Sequence, residues 1–403
     1  MKRLRQIARD WDLFFFRRER PTAIALYRIV FGLLVLAKLL LLWPDRLAWY
    51  GERGVFPWAA CRALASPPRL NLFAFWPRGN AAVDLYFLLA LGCAGLLTLG
   101  LFTRASSVAV YVLLVSLDHR NLFILNGGDA MLRVSAFFLI FAPAGGAISL
   151  DRLRRILNGR EGPAPPRRSP WAQRLLQIQL SFAYLAAFYA KAQGTLWISG
   201  LALYYVLRLQ EFRRFPVPSI HSLAVIRGLT WSVMAIEFAA GALVWIKEMR
   251  YFVLALAALM HFGIDYAMNI PLFEWVMMAL FLTFVPAWDL RRAAAWARAR
   301  IARRLSKPAR VVFDAGSPGR RRIAVALQSL DLLGRFQFFA EEGCAPGAGA
   351  WSIFLPSGAA LTGVAALRRL AGGIPLLWPI GCALRIPGSA RLGRRLLRTF
   401  AEA

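Results

Sequence analysis

Long apolar blocks alternate with short polar joints over the first 290 residues. A bilayer core of about 30 Å needs roughly 20 mostly apolar helical residues, because unpaired backbone groups are costly in lipid. Thr22–Trp43, TAIALYRIVFGLLVLAKLLLLW, meets that length with two charges inside it, Arg28 and Lys38. Further blocks follow at 83–102, 106–118, 131–148, 175–190, 223–246, 251–267 and 271–285, the third being the shortest. The pattern predicts an all-α polytopic membrane protein with about eight transmembrane helices. After Leu290 the pattern changes. An Ala/Arg-rich helix over 291–308 suits either an interfacial segment or a solvated linker. Beyond it, ARVVF at 309–313 reads as a strand, 322–333 has helical spacing, and 335–339 reads as a second strand. The chain thus divides into a basic N-terminus (1–20), a transmembrane domain (21–290), a basic linker helix (291–308) and a small C-terminal α/β domain (309–403).

Composition agrees with a membrane setting: 59% of residues are hydrophobic and only 18% charged, too few charges for the surface of a soluble chain of 403 residues. The formal charge is +29. Because the basic residues lie between apolar runs, no nucleic acid partner is expected and membrane lipids are. Residues 1–20 carry seven Lys/Arg, 151–170 six, and 289–403 nineteen against six acidic residues. Eight spans would put all of these on one side. The positive-inside rule makes that side the cytoplasm, so both termini are expected inside a bacterial inner membrane. The 44–82 loop, with five arginines, argues the other way. No small-residue cleavage site follows the first apolar run closely, so no signal peptide is read. Four cysteines, Cys61, Cys93, Cys344 and Cys382, form neither a disulfide framework nor a metal spacing.

Charged groups at membrane depth need partners, water or a function. One cluster runs from Asp118 through His119, Arg120 and Asn121 to Asp129. It serves equally as an external turn capped by Asp129, or as a site where His119 and a carboxylate move a proton. In a second cluster Lys191 ends an apolar helix beside Gln193 and Trp197. That lysine either snorkels to headgroups or, partly desolvated, becomes a base. Tyr184 and Gln177 extend its helix face inward. Glu237, His261, Asp265, Asn269 and Glu274 form a third set, with His261 and Asp265 four residues apart on one face. No phosphate loop, serine elbow or metal motif appears, so a substrate is expected to be lipidic or a peptide. A scaffold that docks a cytoplasmic partner through its tail, or a small-molecule transporter, are the competing readings.

Three stretches carry a resemblance: HRNLFILNGGDAMLRVSAFFLIFAPAGGAISLD (119–151), QLSFAYLAAFYAKAQGTLWISG (179–200) and HFGIDYAMNIPLFEWV (261–276), with Arg28 ahead of them. Together they resemble the HTTM domain of the vitamin K-dependent gamma-carboxylase-like superfamily. The resemblance implies a reduced quinone as cofactor or substrate, quinol-epoxidase or carboxylase-like chemistry, and Lys191 as base. His119 is then the counterpart of the carboxylation-site histidine, although Asn121 follows it where that family sets paired asparagines before it. Arg28, Asn121, Asp129, Gln193, Trp197, Glu237, His261 and Asp265 become pocket or support residues. The tail, from VVFDAGSPGRR (311–321) on, resembles a DCC-type thiol-disulfide oxidoreductase, which implies a thioredoxin-like fold. Ser317 and Arg320 stand where that family has its cysteines. Neither side chain can exchange a disulfide, so no redox activity is expected of it.

Overall fold

A computed structural model describes residues 1–64, 71–217, 220–302, 308–314, 316–341 and 351–386. The chain forms two compact units. One comprises Met1–Ser149 and Arg167–Pro286, the other Leu150–Pro166 and Ala287–Ala403.

The first unit is helical. Its main helices are α1 (Lys2–Phe16), α2 (Thr22–Leu42), α3 (Asn80–Leu99), α4 (Thr103–Arg120) and α5 (Gly127–Phe141). The second unit holds α6 (Leu150–Leu157), and the first then resumes with α7 (Trp171–Ala192), α8 (Leu223–Ala242), α9 (Arg250–Ala267) and α10 (Phe273–Phe281). α2 packs on α3 and α10, α4 on α3 and α5, and α8 on α7 and α9. Phe31, Tyr86, Phe87, Leu97, Leu176 and Leu280 meet in its core with almost no exposure. α2 and α3 approach closely where Gly32 faces Thr98, since any side chain at Gly32 would strike the Thr98 hydroxyl.

Helices form at all eight places where the sequence predicts a span, but the count of eight membrane spans is corrected. Among the described residues only Thr22–Leu42, Asn80–Leu99 and Leu223–Trp245 are long and apolar enough to cross a bilayer. A fourth qualifies only if Phe273–Phe284 and Ala287–Ile301 count as one broken span. The physical reasons are length and polarity. α5 has 15 residues, about 22 Å at 1.5 Å per residue, short of a bilayer core. α4 carries Arg104, Asp118, His119 and Arg120, α7 carries Gln173, Arg174, Gln177 and Lys191, and α9 carries Arg250, His261 and Asp265. Several of these polar positions face protein rather than lipid. Gln173 and Gln177, for example, both donate through Nε2 to the Thr283 carbonyl, at 2.7 and 2.6 Å.

The second unit continues with α11 (Ala287–Ala302), β1 (Ala309–Asp314), α12 (Pro318–Leu330), β2 (Phe336–Glu341), β3 (Trp351–Phe354), β4 (Ala360–Thr362) and α13 (Gly363–Gly373). Its strands make one open sheet in the order β2-β1-β3-β4. β2 is parallel to β1, and β3 runs antiparallel to both β1 and β4. β-branched and aromatic residues suit the central β1. Val311 meets Ile353 across the ladder, and Phe313 stacks on Trp351 with ring centroids 5.4 Å apart. Leu327 of α12 and Leu370 of α13 complete this core.

The thioredoxin-like tail is the second correction. The four described strands make one open sheet, not a closed thioredoxin-like one. The supposed redox positions have other work. Ser317 caps α12 by accepting from the Arg320 backbone N–H, and Arg320 Nη1 donates to Asp314 Oδ2 at 2.6 Å. Cys382 is exposed, whereas Cys344, Ala315 and residues 387–403 lie outside the described residues.

Candidate functional site

Arg28 and Lys38 are ten residues apart on α2, about 15 Å along the helix, and each anchors a different end of the bundle. Arg28 is fully buried. Its Nη1 donates to the Ala144 carbonyl at 2.8 Å, and its Nη2 donates to the carbonyls of Ile148 at 2.7 Å and Thr98 at 3.3 Å. The α3 C-terminus is negative by its dipole, so a guanidinium is well placed there. Gly100 closes that helix at φ +69, and any side chain on it would run into Arg28 and Ser149. Glycine serves both needs.

Lys38 holds the other end. Its Nζ donates to Asp118 Oδ1 and Asp129 Oδ1, both at 2.7 Å, while Arg133 Nε faces Asp118 Oδ2 at 3.4 Å. Asp129 also accepts from the Asn126 N–H at 2.8 Å, and Asn126 Oδ1 accepts from Gly128, which makes a reciprocal cap on α5. Arg120 donates to the carbonyls of Tyr50 and Phe56, and Asn121 Nδ2 donates to Trp49, so both residues hold the 44–64 segment in place. His119 lies between Asp118 and Arg120 at this end, where its carbonyl meets the Cys61 thiol at 3.8 Å.

Lys191 stands at the end of α7 and Glu237 on the neighbouring α8. Lys191 Nζ donates to Glu237 Oε1 at 2.7 Å and lies 5.1 Å from the Trp197 ring centroid. The lysine side chain is 22% exposed and that of Glu237 only 9%. Glu237 Oε2 is buried and accepts no hydrogen bond among the described residues. Gln193 is the C-cap residue of α7. Behind this pair, on the same face of α7 and two turns deeper, Tyr184 O–H lies 2.6 Å from His261 Nε2. The other ring nitrogen of His261 is hydrogen-bonded to Glu274, in the first turn of α10. All three are buried.

The sequence-based candidates therefore separate into groups. Lys191, Trp197, Glu237 and, one layer inward, His261 come together. Asp265 points away, to Arg214 at 2.7 Å, although it shares the helix face of His261. Asp129 pairs with Lys38, His119 and Asn121 follow Asp118 at the end of α4, and Arg28 is ten residues from Lys38 along α2. Sequence reasoning passed over the pairing of Lys38 with Asp118 and Asp129, and that of His261 with Glu274. A lysine inside the most apolar block was the available signal for the first, since such a charge needs a counter-charge. The second had none beyond the presence of Glu274. No three His, Cys, Asp or Glu side chains gather as a metal site among the described residues.

No curated protein and no solved structure matches the chain. The family-model match ends at residue 288, so the resemblance of the tail to DCC-type oxidoreductases has no support. Three of the chain's described helices are long and apolar enough to cross a membrane, the HTTM domain model matches residues 16–288, more than half of the chain, and the protein belongs to that family.

Proposed function

We propose that the protein is a membrane enzyme in which Lys191 and Glu237 together remove a proton from a lipid-soluble substrate with an acidic hydroxyl, of the quinol class. The buried, unsatisfied Glu237 Oε2 beside a reachable ammonium carries this reading. A buried carboxylate oxygen without a donor is costly, and a substrate hydroxyl supplies the missing donor. The donor set fits a quinol in a second way: the Trp197 face beside the pair suits an aromatic ring.

The pair divides the work. A lysine acting alone as base needs a neutral nitrogen, but an ion pair already offers a carboxylate. Glu237 Oε2 is the acceptor. Lys191 fixes Oε1 and places a positive charge beside the anion that the substrate becomes. Family membership supports the same reading, and the basic excess suits the cytoplasmic face of a bacterial inner membrane.

The test is turnover of a reduced naphthoquinone by protein in nanodiscs, compared at equal folded concentration. Glu237→Gln keeps the shape of the side chain and removes the base. It is expected to lose most of the roughly 10²–10⁴-fold that a positioned base typically contributes. Lys191→Arg keeps the charge and is expected to retain part of the activity. Near-wild-type turnover by Glu237→Gln would overturn the assignment. A Lys191→Arg variant as inactive as Lys191→Ala would return the base to the lysine nitrogen.

A further inference from the structure

A cleft beside the 44–64 segment shares no lining residue with the Lys191–Glu237 pair. Tyr50, Trp58, Phe73, Arg78, Gly79 and Arg120 line it, around about 320 Å³ of space. Arg120 is the last residue of α4 and is 1% exposed. Its Nη2 donates to the carbonyls of Tyr50 and Phe56, at 3.2 and 2.8 Å. Its Nη1 is buried and has no hydrogen-bond partner among the described residues. The Cys61 thiol interacts with the guanidinium, but a protonated thiol is a weak, uncharged acceptor. The partners of this buried cation among the described residues are thus carbonyls, aromatic rings and a thiol, all neutral. Such a charge is costly until an anion reaches it.

Two further features converge on the same cleft. α3 begins there, with Gly79 as its N-cap and no side chain capping its first turn. A helix of 20 residues carries about half a positive charge at that end, together with backbone N–H groups that have no partner within the helix. Gly79 has φ +102, and nothing lies within 4 Å of where a side chain on it would point, so the space over the helix end is open. Arg78 precedes it and is half exposed. Its guanidinium lies 5.3 Å from the Trp58 ring centroid, and that of Arg120 lies 5.6 Å from the same ring. One indole therefore borders both cations. Glu52, the acidic residue in the lining, faces Arg78 at 3.6 Å but is itself half exposed, so water weakens its hold.

We propose that this cleft binds a phosphate group, independently of the chemistry at Lys191 and Glu237. Arg120 Nη1 and the Arg78 guanidinium supply charged donors, and the start of α3 supplies backbone N–H groups. Donors that come from a helix end, a loop and a second helix suit a tetrahedral oxyanion. A planar carboxylate is already satisfied by the two parallel N–H groups of one arginine. The rings of Tyr50, Trp58 and Phe73 give the carbon side of a phosphate ester an apolar wall. A soluble phosphate ester and a lipid headgroup share that chemistry.

The experiment is thermal unfolding of the full-length protein in dodecyl maltoside, a detergent without phosphate. It is titrated at neutral pH with inorganic phosphate or glycerol phosphate, with ionic strength held constant by sodium chloride. A ligand that binds the folded state raises the midpoint as its concentration passes Kd. Phosphate also stabilises proteins non-specifically, so the site is read from the difference between wild type and variant. Arg78→Ser changes a half-exposed residue and is expected to keep the fold while weakening the apparent Kd about tenfold or more, the loss of a charge-assisted hydrogen bond. Arg120→Gln is expected to abolish the saturable rise. Should that variant not fold, Arg78→Ser decides alone.

A short-chain phosphatidic acid in the same titration separates the two sources. A lower Kd for phosphatidic acid than for glycerol phosphate, equally sensitive to Arg78→Ser, assigns the site to a lipid headgroup. Equal values assign it to a soluble ester. Acetate is expected to give no saturable difference between wild type and Arg78→Ser. The absence of any rise, a rise of the same size and midpoint in wild type and Arg78→Ser with every phosphate compound, or acetate binding as tight as that of phosphate would each overturn the site.

Discussion

Lys38 and Lys191 are both drawn into an apolar helical bundle, yet their surroundings differ in kind. Lys38 is 8% exposed by its side chain and meets two carboxylates at 2.7 Å, one of them shared with Arg133 and the other with a helix cap. Every charge there has an answering charge. Lys191 has one carboxylate, a side chain reachable from outside, and a partner oxygen left without a donor. Each also holds a buried carboxylate oxygen that accepts no hydrogen bond among the described residues, but Asp118 Oδ2 faces Arg133 at 3.4 Å, whereas no ion pair reaches Glu237 Oε2 among the described residues. Burial and pairing alone do not distinguish structural from reactive charges. What separates them is whether a second cation answers the remaining carboxylate oxygen.

The strongest challenge to that contrast is Lys38→Ala. Removing one member of a buried ion pair typically costs about 3–5 kcal/mol, because the remaining charge is left uncompensated, and here two adjacent carboxylates lose the cation they share. Thermal unfolding in detergent is expected to show a large drop or no folded protein. A midpoint near that of the wild type would mean that the Lys38 network is not what holds α2, α4 and α5 together. Arg28→Lys is expected to cost less, about 1–3 kcal/mol, since the ammonium keeps the charge but cannot serve three carbonyls set in a fan. Asn126→Ala removes one half of the α5 cap and is expected to cost about 1 kcal/mol in the same assay.

On the other side of the comparison a smaller loss than that of Lys38→Ala is expected. Lys191→Met keeps the length of an unbranched side chain while ending the ion pair, and it removes a lysine that is 22% exposed and leaves one carboxylate unpaired rather than two. A loss as large as that for Lys38→Ala would erase the distinction between the two lysines.

Element positions were legible in the sequence and their relation to a membrane was not. Apolar blocks mark α2, α3 and α8 as spans because those helices are both long and nearly free of charge. The blocks at α4, α7 and α9 are more polar. Their polar residues, however, face partners that only the fold supplies, as Gln173 and Gln177 face Thr283. The candidate site was half legible for the same reason. Lys191 and Trp197 are six residues apart, and one helix end brings them together. Glu237 is 46 residues away, and Lys38 is 80 from Asp118, so no local pattern announces either pair. His261 and Asp265 illustrate the converse, since i,i+4 spacing put them on one face while the packing sent Asp265 to Arg214. In the tail, a sequence pattern around Ser317 and Arg320 suggested a lost redox pair, whereas the fold uses these residues to cap and clamp the start of α12.

The contrast between the two lysines rests most directly on turnover per folded molecule in Lys191→Ala. The protein would be reconstituted in nanodiscs with a reduced naphthoquinone, and folded concentration fixed by its own unfolding transition. The expected result is a fall of about 10²–10³-fold, the loss typical of a missing electrostatic donor, with a smaller drop in thermal midpoint than Lys38→Ala shows. Wild-type turnover by Lys191→Ala would contradict the account.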